Sequence, residues 1–245
     1  LVIRRQRQMC IRDRERTPVT EEQTSDESLV DLSIQKSSSN VLADRGDVIN
    51  QTGRVNFDNT KIKGSINLNG AVIDDLTLEE FRETLDPTSD LIEFLNPLGS
   101  DNAYYLDTGW VSSDSTIELP NSSSIWIADK NTIGVNEPVK LTWTSDQNIT
   151  FEKIITLDEN YLFSVDQRVI NNSGLSFDLY PYGLSKRQGI PEMQNFFILH
   201  EGPLSITDGV LEEYDYDDLK DDKKIKHSSV GGWIGMTDKY WQTAI

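Results

Sequence analysis

The chain has 245 residues, a formal net charge of −18 and a pI near 4.4. That length holds one sizeable β domain or two small ones, and so acidic a surface repels phosphate, which excludes a nucleic-acid partner. The lone cysteine, Cys10, excludes an intramolecular disulfide, and no run approaches the roughly 20 apolar residues that span a bilayer.

Residues 1–16 hold six arginines against Asp13 and Glu15 and lack the apolar middle of a signal peptide. They read either as a basic arm for headgroups or nucleic acid or as non-native sequence; we expect the second, with Cys10 belonging to it. Residues 17–45 are rich in Glu, Asp, Ser and Thr, with scattered apolar residues such as Leu29, Val30, Leu32 and Ile34. Such a composition buries too little surface to offset chain entropy, so this stretch is expected to be a flexible acidic linker.

The folded domain is expected over residues 46–245. Ile62, Ile66 and Leu68 alternate with Lys61, Lys63, Ser65 and Asn67, the period of a strand with one wet face. Asn69-Gly70 suits a type I′ turn, which makes residues 71–78 the returning hairpin partner. One helical turn is expected over residues 79–84, stopped by Pro87. Residues 91–95, 104–111 and 125–128 are short strand candidates between Pro, Gly, Asn and Ser clusters.

The clearest periodicity runs from Val139 to Leu179. Val139, Leu141 and Trp143 share one face; Phe151, Ile155 and Leu157 share the next, and Tyr161, Phe163, Val165 and Val169 the third. Leu175, Phe177 and Leu179 complete four expected strands joined by polar turns, an antiparallel meander able to pack on a second sheet. Pro181 and Gly183 break the pattern, which resumes at residues 196–200. Residues 212–226 alternate acids and lysines as an exposed connection, and residues 237–243 form a short helix in this reading.

No chemistry emerges from the titratable residues. His200 and His227 have no ligand-spaced partner, and the acids at 215–222 place Lys220 and Lys226 where a calcium loop needs Gly and Glu. There is no Gly-x-Ser-x-Gly elbow and no phosphate loop. His200 and Glu201 are an imidazole–carboxylate pair, but strand neighbours point to opposite faces, so His200 is read as structural. No catalytic, cofactor-binding or metal residue is assigned. Tyr104, Tyr105, Trp110, Trp126, Trp233, Tyr240 and Trp241 are the aromatic residues that can stack on a sugar or an apolar segment if exposed.

Gly231 to Trp241 crowds three glycines, two tryptophans and a tyrosine into eleven residues. Six further stretches precede it: residues 63–76, 82–87, 104–110, 141–143, 180–184 and 198–202. In this order, over residues 46–245, they resemble the large periplasmic domain of the YidC-type membrane protein insertases of Gram-negative bacteria. The resemblance implies a mainly β fold, an antiparallel supersandwich like that of galactose mutarotases, with short helices. It implies a domain incomplete at its C-terminal end and anchored in the intact protein to the bacterial inner membrane, facing the periplasm. A membrane helix is expected where residues 1–16 stand. The implied function is accessory and non-enzymatic: assisting insertion, folding and assembly of inner-membrane proteins, with the Sec translocon subunits and nascent chains as partners. The insertion groove of that family, with its arginine, belongs to later membrane helices outside these residues. The alternative is a carbohydrate-binding or aldose-epimerase-like sandwich, for which His200-Glu201 is the pair to examine.

Overall fold

A computed structural model describes residues 43–191, 200–222, 224–238 and 240–245. Residues 1–16, most of the expected linker and the stretch 192–199 lie outside the described residues, as does most of the strand expected at 196–200. Among the described residues no helix is long and apolar enough to cross a membrane. The described residues are mainly β, in three sheets and two short helices.

The first helix, α1 (Arg45–Ile49), starts the described chain. Asp44 caps it, its carboxylate accepting from the Gly46 N–H at 2.8 Å and satisfying an otherwise orphaned donor. Strands β1 (Arg54–Asp58), β2 (Ile62–Asn67) and β3 (Val72–Arg82) then run antiparallel. Val55, Phe57, Ile62, Ile66, Leu76 and Leu78 turn inward and are buried. The β2–β3 turn is displaced by one residue from expectation: positive φ falls on Gly70 and Ala71, not on Asn69. A bulge in β3 then resets which residues face inward.

Strand β3 does not become helical after Leu78. It stays extended to Arg82 because β4 (Leu91–Leu95) returns along it, pairing Arg82 with Leu91; Pro87 lies in the hairpin tip rather than at a helix end. Strand β5 (Tyr104–Val111) pairs with the start of β3, and β11 (Tyr180–Arg187) pairs with β5 over eight residues. The first sheet has the order β11-β5-β3-β2-β1-β7, with β4 also on β3 and β7 (Thr132–Ile133) parallel to β1.

The second sheet is β10-β9-β8-β6. Three meander strands form as expected: β8 (Val139–Thr144), β9 (Ile149–Leu157) and β10 (Phe163–Asn171). The fourth member is β6 (Ile127–Ala128), not residues 175–179. Those last residues are not a strand; Phe177 and Leu179 pack at the edge of the core while the chain crosses to the first sheet as β11. Pro181 sits inside β11, where an edge strand tolerates the missing N–H. Phe57 meets Phe163 edge-on at 5.1 Å, and Trp110 meets Phe151 at the same distance, so the inner faces form one sandwich core.

The third sheet has the order β13-β12-β14-β15: β12 (Gly202–Thr207), β13 (Val210–Glu213), β14 (Gly232–Thr237) and β15 (Gln242–Ala244). Two expectations fail here. The acid–lysine stretch contains a helix, α2 (Tyr216–Asp222), with Tyr216 buried against the body. Residues 237–243 are a strand end, a turn and β15 rather than a helix, because pairing of Gly235 with Ala244 and of Thr237 with Gln242 takes up their backbone. The glycines of the aromatic stretch have a physical cause. Gly231 and Gly232 adopt φ of +92° and +128°, and a Cβ on Gly235 would stand 2.1 Å from the Thr243 carbonyl oxygen.

Candidate functional site

The two sandwich sheets end on the same side in β11 and β10. Between these edges lies a cavity of about 390 Å³, walled by Ile73, Leu106, Ile155, Val165, Tyr182 and Ile245. A second groove, of about 800 Å³, runs between β11, the third sheet and α2; Pro203, Leu219, Ile225, Ile234 and Met236 line it. Gly183 and Ile245 belong to both walls. A Cβ on Gly183 would meet Ile245 at 2.5 Å, so the absent side chain at 183 is what lets β15 close against β11.

A polar chain crosses the sandwich beside the smaller cavity. Lys153 lies on the inner face of β9, its side chain 2% exposed. Its ammonium donates to the Ala71 carbonyl at 3.2 Å and meets the Asp107 carboxylate at 3.5 Å, with the Trp126 ring 5.1 Å away. Burial pulls the Lys153 pKa down, opposed by Asp107. The Tyr182 hydroxyl donates to the other Asp107 oxygen at 2.9 Å, and burial, followed by the Asp107 charge, raises its pKa. One cation thus ties β9, the β2–β3 turn, β5 and the edge strand β11.

A second polar cluster holds the third sheet. Arg187 on β11 grips Asp238 with two hydrogen bonds, 2.7 and 3.1 Å, and stacks on Tyr104 with its guanidinium carbon 4.7 Å from the ring centre. The Tyr104 hydroxyl shares a hydrogen bond with Thr243 of β15. Burial pushes the Tyr104 pKa up to about 12, against the lowering effect of Thr243, Ser185 and Arg187. The folded state therefore keeps this proton above pH 10 while the unfolded chain loses it, and stability falls as pH rises from 10 to 12. At about 1.4 kcal/mol per pKa unit the loss approaches ~3 kcal/mol, and Tyr104→Phe is expected to flatten it. Urea midpoints measured from pH 9 to 11 for both proteins test this; parallel curves would assign the alkaline loss elsewhere.

The sequence-chosen residues do not assemble into an active site. His200 precedes β12; its Nε2 lies 3.1 Å from the Pro203 carbonyl oxygen and its Nδ1 3.8 Å from the Asp215 carboxylate. It lines neither groove. His227 instead meets the Tyr214 hydroxyl at 2.5 Å at one end of the larger groove. Among the described residues no three acids, histidines or cysteines gather as a metal site. Tyr104, Trp110 and Trp126 are buried, Tyr105, Trp233 and Trp241 half-buried, and Tyr240 exposed. Trp241 packs on Phe81 with ring centres 4.5 Å apart. Most of the aromatic set is therefore core, not a stacking platform.

Sequence reasoning missed Lys153, Asp107 and Tyr182. One signal was present: Lys153 has the parity of Phe151, Ile155 and Leu157, which puts a lysine on the apolar face.

Fold and grooves together define a β-sandwich domain with apolar-walled grooves at its sheet edges, its polar clusters holding the sheets together. Residues 54–245 match the family model of the YidC periplasmic domain, and the chain belongs to that family. It is 41% identical over 202 residues to the membrane protein insertase YidC of Pelagibacter ubique, covering 82% of this chain and 36% of that protein. The insertase of Granulibacter bethesdensis is 40% identical over 198 residues (78% and 34% covered), and that of Rickettsia bellii 39% over 196 (80% and 35%). The chain thus spans about a third of the length of these relatives.

Proposed function

We propose that this chain is the periplasmic accessory domain of a membrane protein insertase and has no catalytic activity of its own. It assists insertion, folding and assembly of inner-membrane proteins, with or without the Sec translocon, whose subunits and nascent clients are its partners. The stretch expected as a linker tethers it to a membrane span and ends at Ala43, whose N–H bonds to the Gly99 carbonyl, rather than at residue 45; residues 1–16 are not native sequence. The observation that carries the reading is the family match over residues 54–245. The two apolar-walled grooves support it, being suited to extended apolar polypeptide. The carbohydrate reading has less to stand on: the His200 ring is engaged by the Pro203 carbonyl and is not among the residues lining either groove.

The test is site-specific photocrosslinking in the membrane-bound insertase that carries this domain. A crosslinking residue replaces Ile234, at the larger groove, and a control replaces Leu85, on the β3–β4 hairpin. Adducts to nascent inner-membrane proteins or translocon subunits from position 234, absent from 85, are expected. Equal labelling at both positions, or adducts to neither partner, sinks the proposal. Acceleration of glucose or galactose mutarotation by the purified chain would move the argument to the sugar reading.

A further inference from the structure

Helix α1 is not held by packing. It has five residues, none of them fully buried, well below the roughly 12–15 that an isolated helix needs to persist in water. Beneath it lies a cleft of about 480 Å³, which Arg45 and Ile49 share with Asn56, Lys63 and Thr77 of the first sheet, in place of a close-packed interface. Its order comes from polar contacts.

Three are present. The Ala43 N–H donates to the Gly99 carbonyl at 3.0 Å, and Ala43 bridges to Ser100 in the loop between β4 and β5. Asp44 caps the first turn. The Arg45 guanidinium bonds the Asp75 carboxylate of β3 directly and reaches Glu93 of β4 at 3.4 Å. Glu93 is 55% exposed, so water screens that pairing. The Arg45 and Asp75 side chains are only 19% and 12% exposed, which makes their bond the main attachment.

The sheet needs this bond as much as the helix does. The register shift between β2 and β3 leaves two consecutive acids, Asp74 and Asp75, buried. Asp74 takes Arg54 from β1, inside the sheet. One Asp75 oxygen accepts from Ser65; among the described residues its ion-pair partner is Arg45 alone, which reaches it from outside the sheet. A buried carboxylate stripped of its cation is strongly destabilising, so the sheet itself favours the docked helix.

We propose that residues 43–45 are a clamp that fixes the point and direction at which the membrane tether enters the domain. The domain then holds a set orientation to the bilayer instead of swivelling on its linker, and Arg45 is the positioning residue. The inference rests on reading the stretch before Ala43 as that tether.

Hydrogen exchange with mass spectrometry on the 245-residue chain reads the clamp. Protection is expected over residues 43–51, where the Ala43, Val48 and Asn50 amides are bonded. Arg45→Met lowers it there about tenfold or more while β1, β2 and β3 keep theirs, and Glu93→Gln changes it little. An unprotected wild-type stretch, or equal protection in wild type and Arg45→Met, overturns the clamp. So does an Arg45→Met variant that loses protection in β1–β3 as well, since Arg45 then supports the sheet and not the junction. Orientation is read in the membrane-bound longer protein by energy transfer from a fluorescent amino acid at position 85 to acceptor lipids. Arg45→Met is expected to broaden the distribution of transfer distances, and equal breadth overturns the set orientation. No transfer in either protein overturns the tether reading itself, an outcome distinct from any failure of the clamp in exchange.

Discussion

Arg54→Met is expected to lower stability by about 3–5 kcal/mol, the scale for stripping one partner from a buried ion pair. The side chains of Arg54 and Asp74 are only 7% and 5% exposed, and the guanidinium bonds the carboxylate directly. Its Nε also donates to Ser65 Oγ at 2.7 Å, and Asn67 supplies Asp74 with a further donor at 3.3 Å. Burial nevertheless dominates and holds the Asp74 pKa above the usual carboxylate value; Arg54 only limits the rise. Without the arginine the carboxylate is left in a poorly solvated place with one weak partner.

The pH dependence follows with a definite sign. A carboxyl whose folded pKa is raised binds more protons folded than unfolded, so its contribution to stability falls as pH rises through that interval. Arg54→Met raises the Asp74 pKa further, so the deficit of the variant shrinks as pH is lowered toward the acid range. The double variant Arg54→Met/Asp74→Asn, which removes both charges, should recover much of the loss. Urea denaturation at pH 5 and 7.5 measures all of this. A single-variant loss below 1 kcal/mol, or one independent of pH, would falsify the account.

Phe151→Ala is expected to cost about 3–5 kcal/mol, the range for deleting a buried aromatic ring and leaving a cavity. Phe151 is fully buried, meets Trp110 of the first sheet edge-on at 5.1 Å and lies 5.8 Å from Trp143 beside it. Its ring therefore joins the two sheets, and the loss should appear as weaker cohesion of the sandwich rather than as local fraying. Phe151→Leu, which keeps most of the volume, should cost much less. Thermal unfolding followed by tryptophan fluorescence reads both, because Trp110 and Trp143 flank the site. Equal losses for Ala and Leu would mean that ring geometry, not volume, holds the sheets.

Strand identity was legible from the sequence wherever the physical cause is local. A strand turns successive side chains to opposite faces, so Val139, Leu141 and Trp143, or Phe163 and Val165, announce a buried face within a few residues. Residues 91–95 and 104–111 are β4 and β5 for the same reason. The aromatic stretch from Gly231, with the six stretches before it, carried the family, and its glycines are fixed by positive φ at 231 and 232 and by backbone close approach at 232 and 235.

Partnership was not legible, because pairing joins residues far apart in sequence. Nothing local tells residues 175–179 to leave the second sheet, or β11 to accept Pro181 on an edge of the first. The segment 237–243 reads as helix by capping residues alone; the return of β15 against Gly235 and Thr237 overrides that preference. The sites depend on tertiary structure still more. Lys153 is 46 residues from Asp107 and 29 from Tyr182, and the Lys153 and Tyr182 pKa values shift only because folding brings these groups together in a place that excludes water. Local side-chain alternation decided which segments are strands; tertiary burial and long-range pairing decided which sheet each joins, which edges stay open and where the grooves lie.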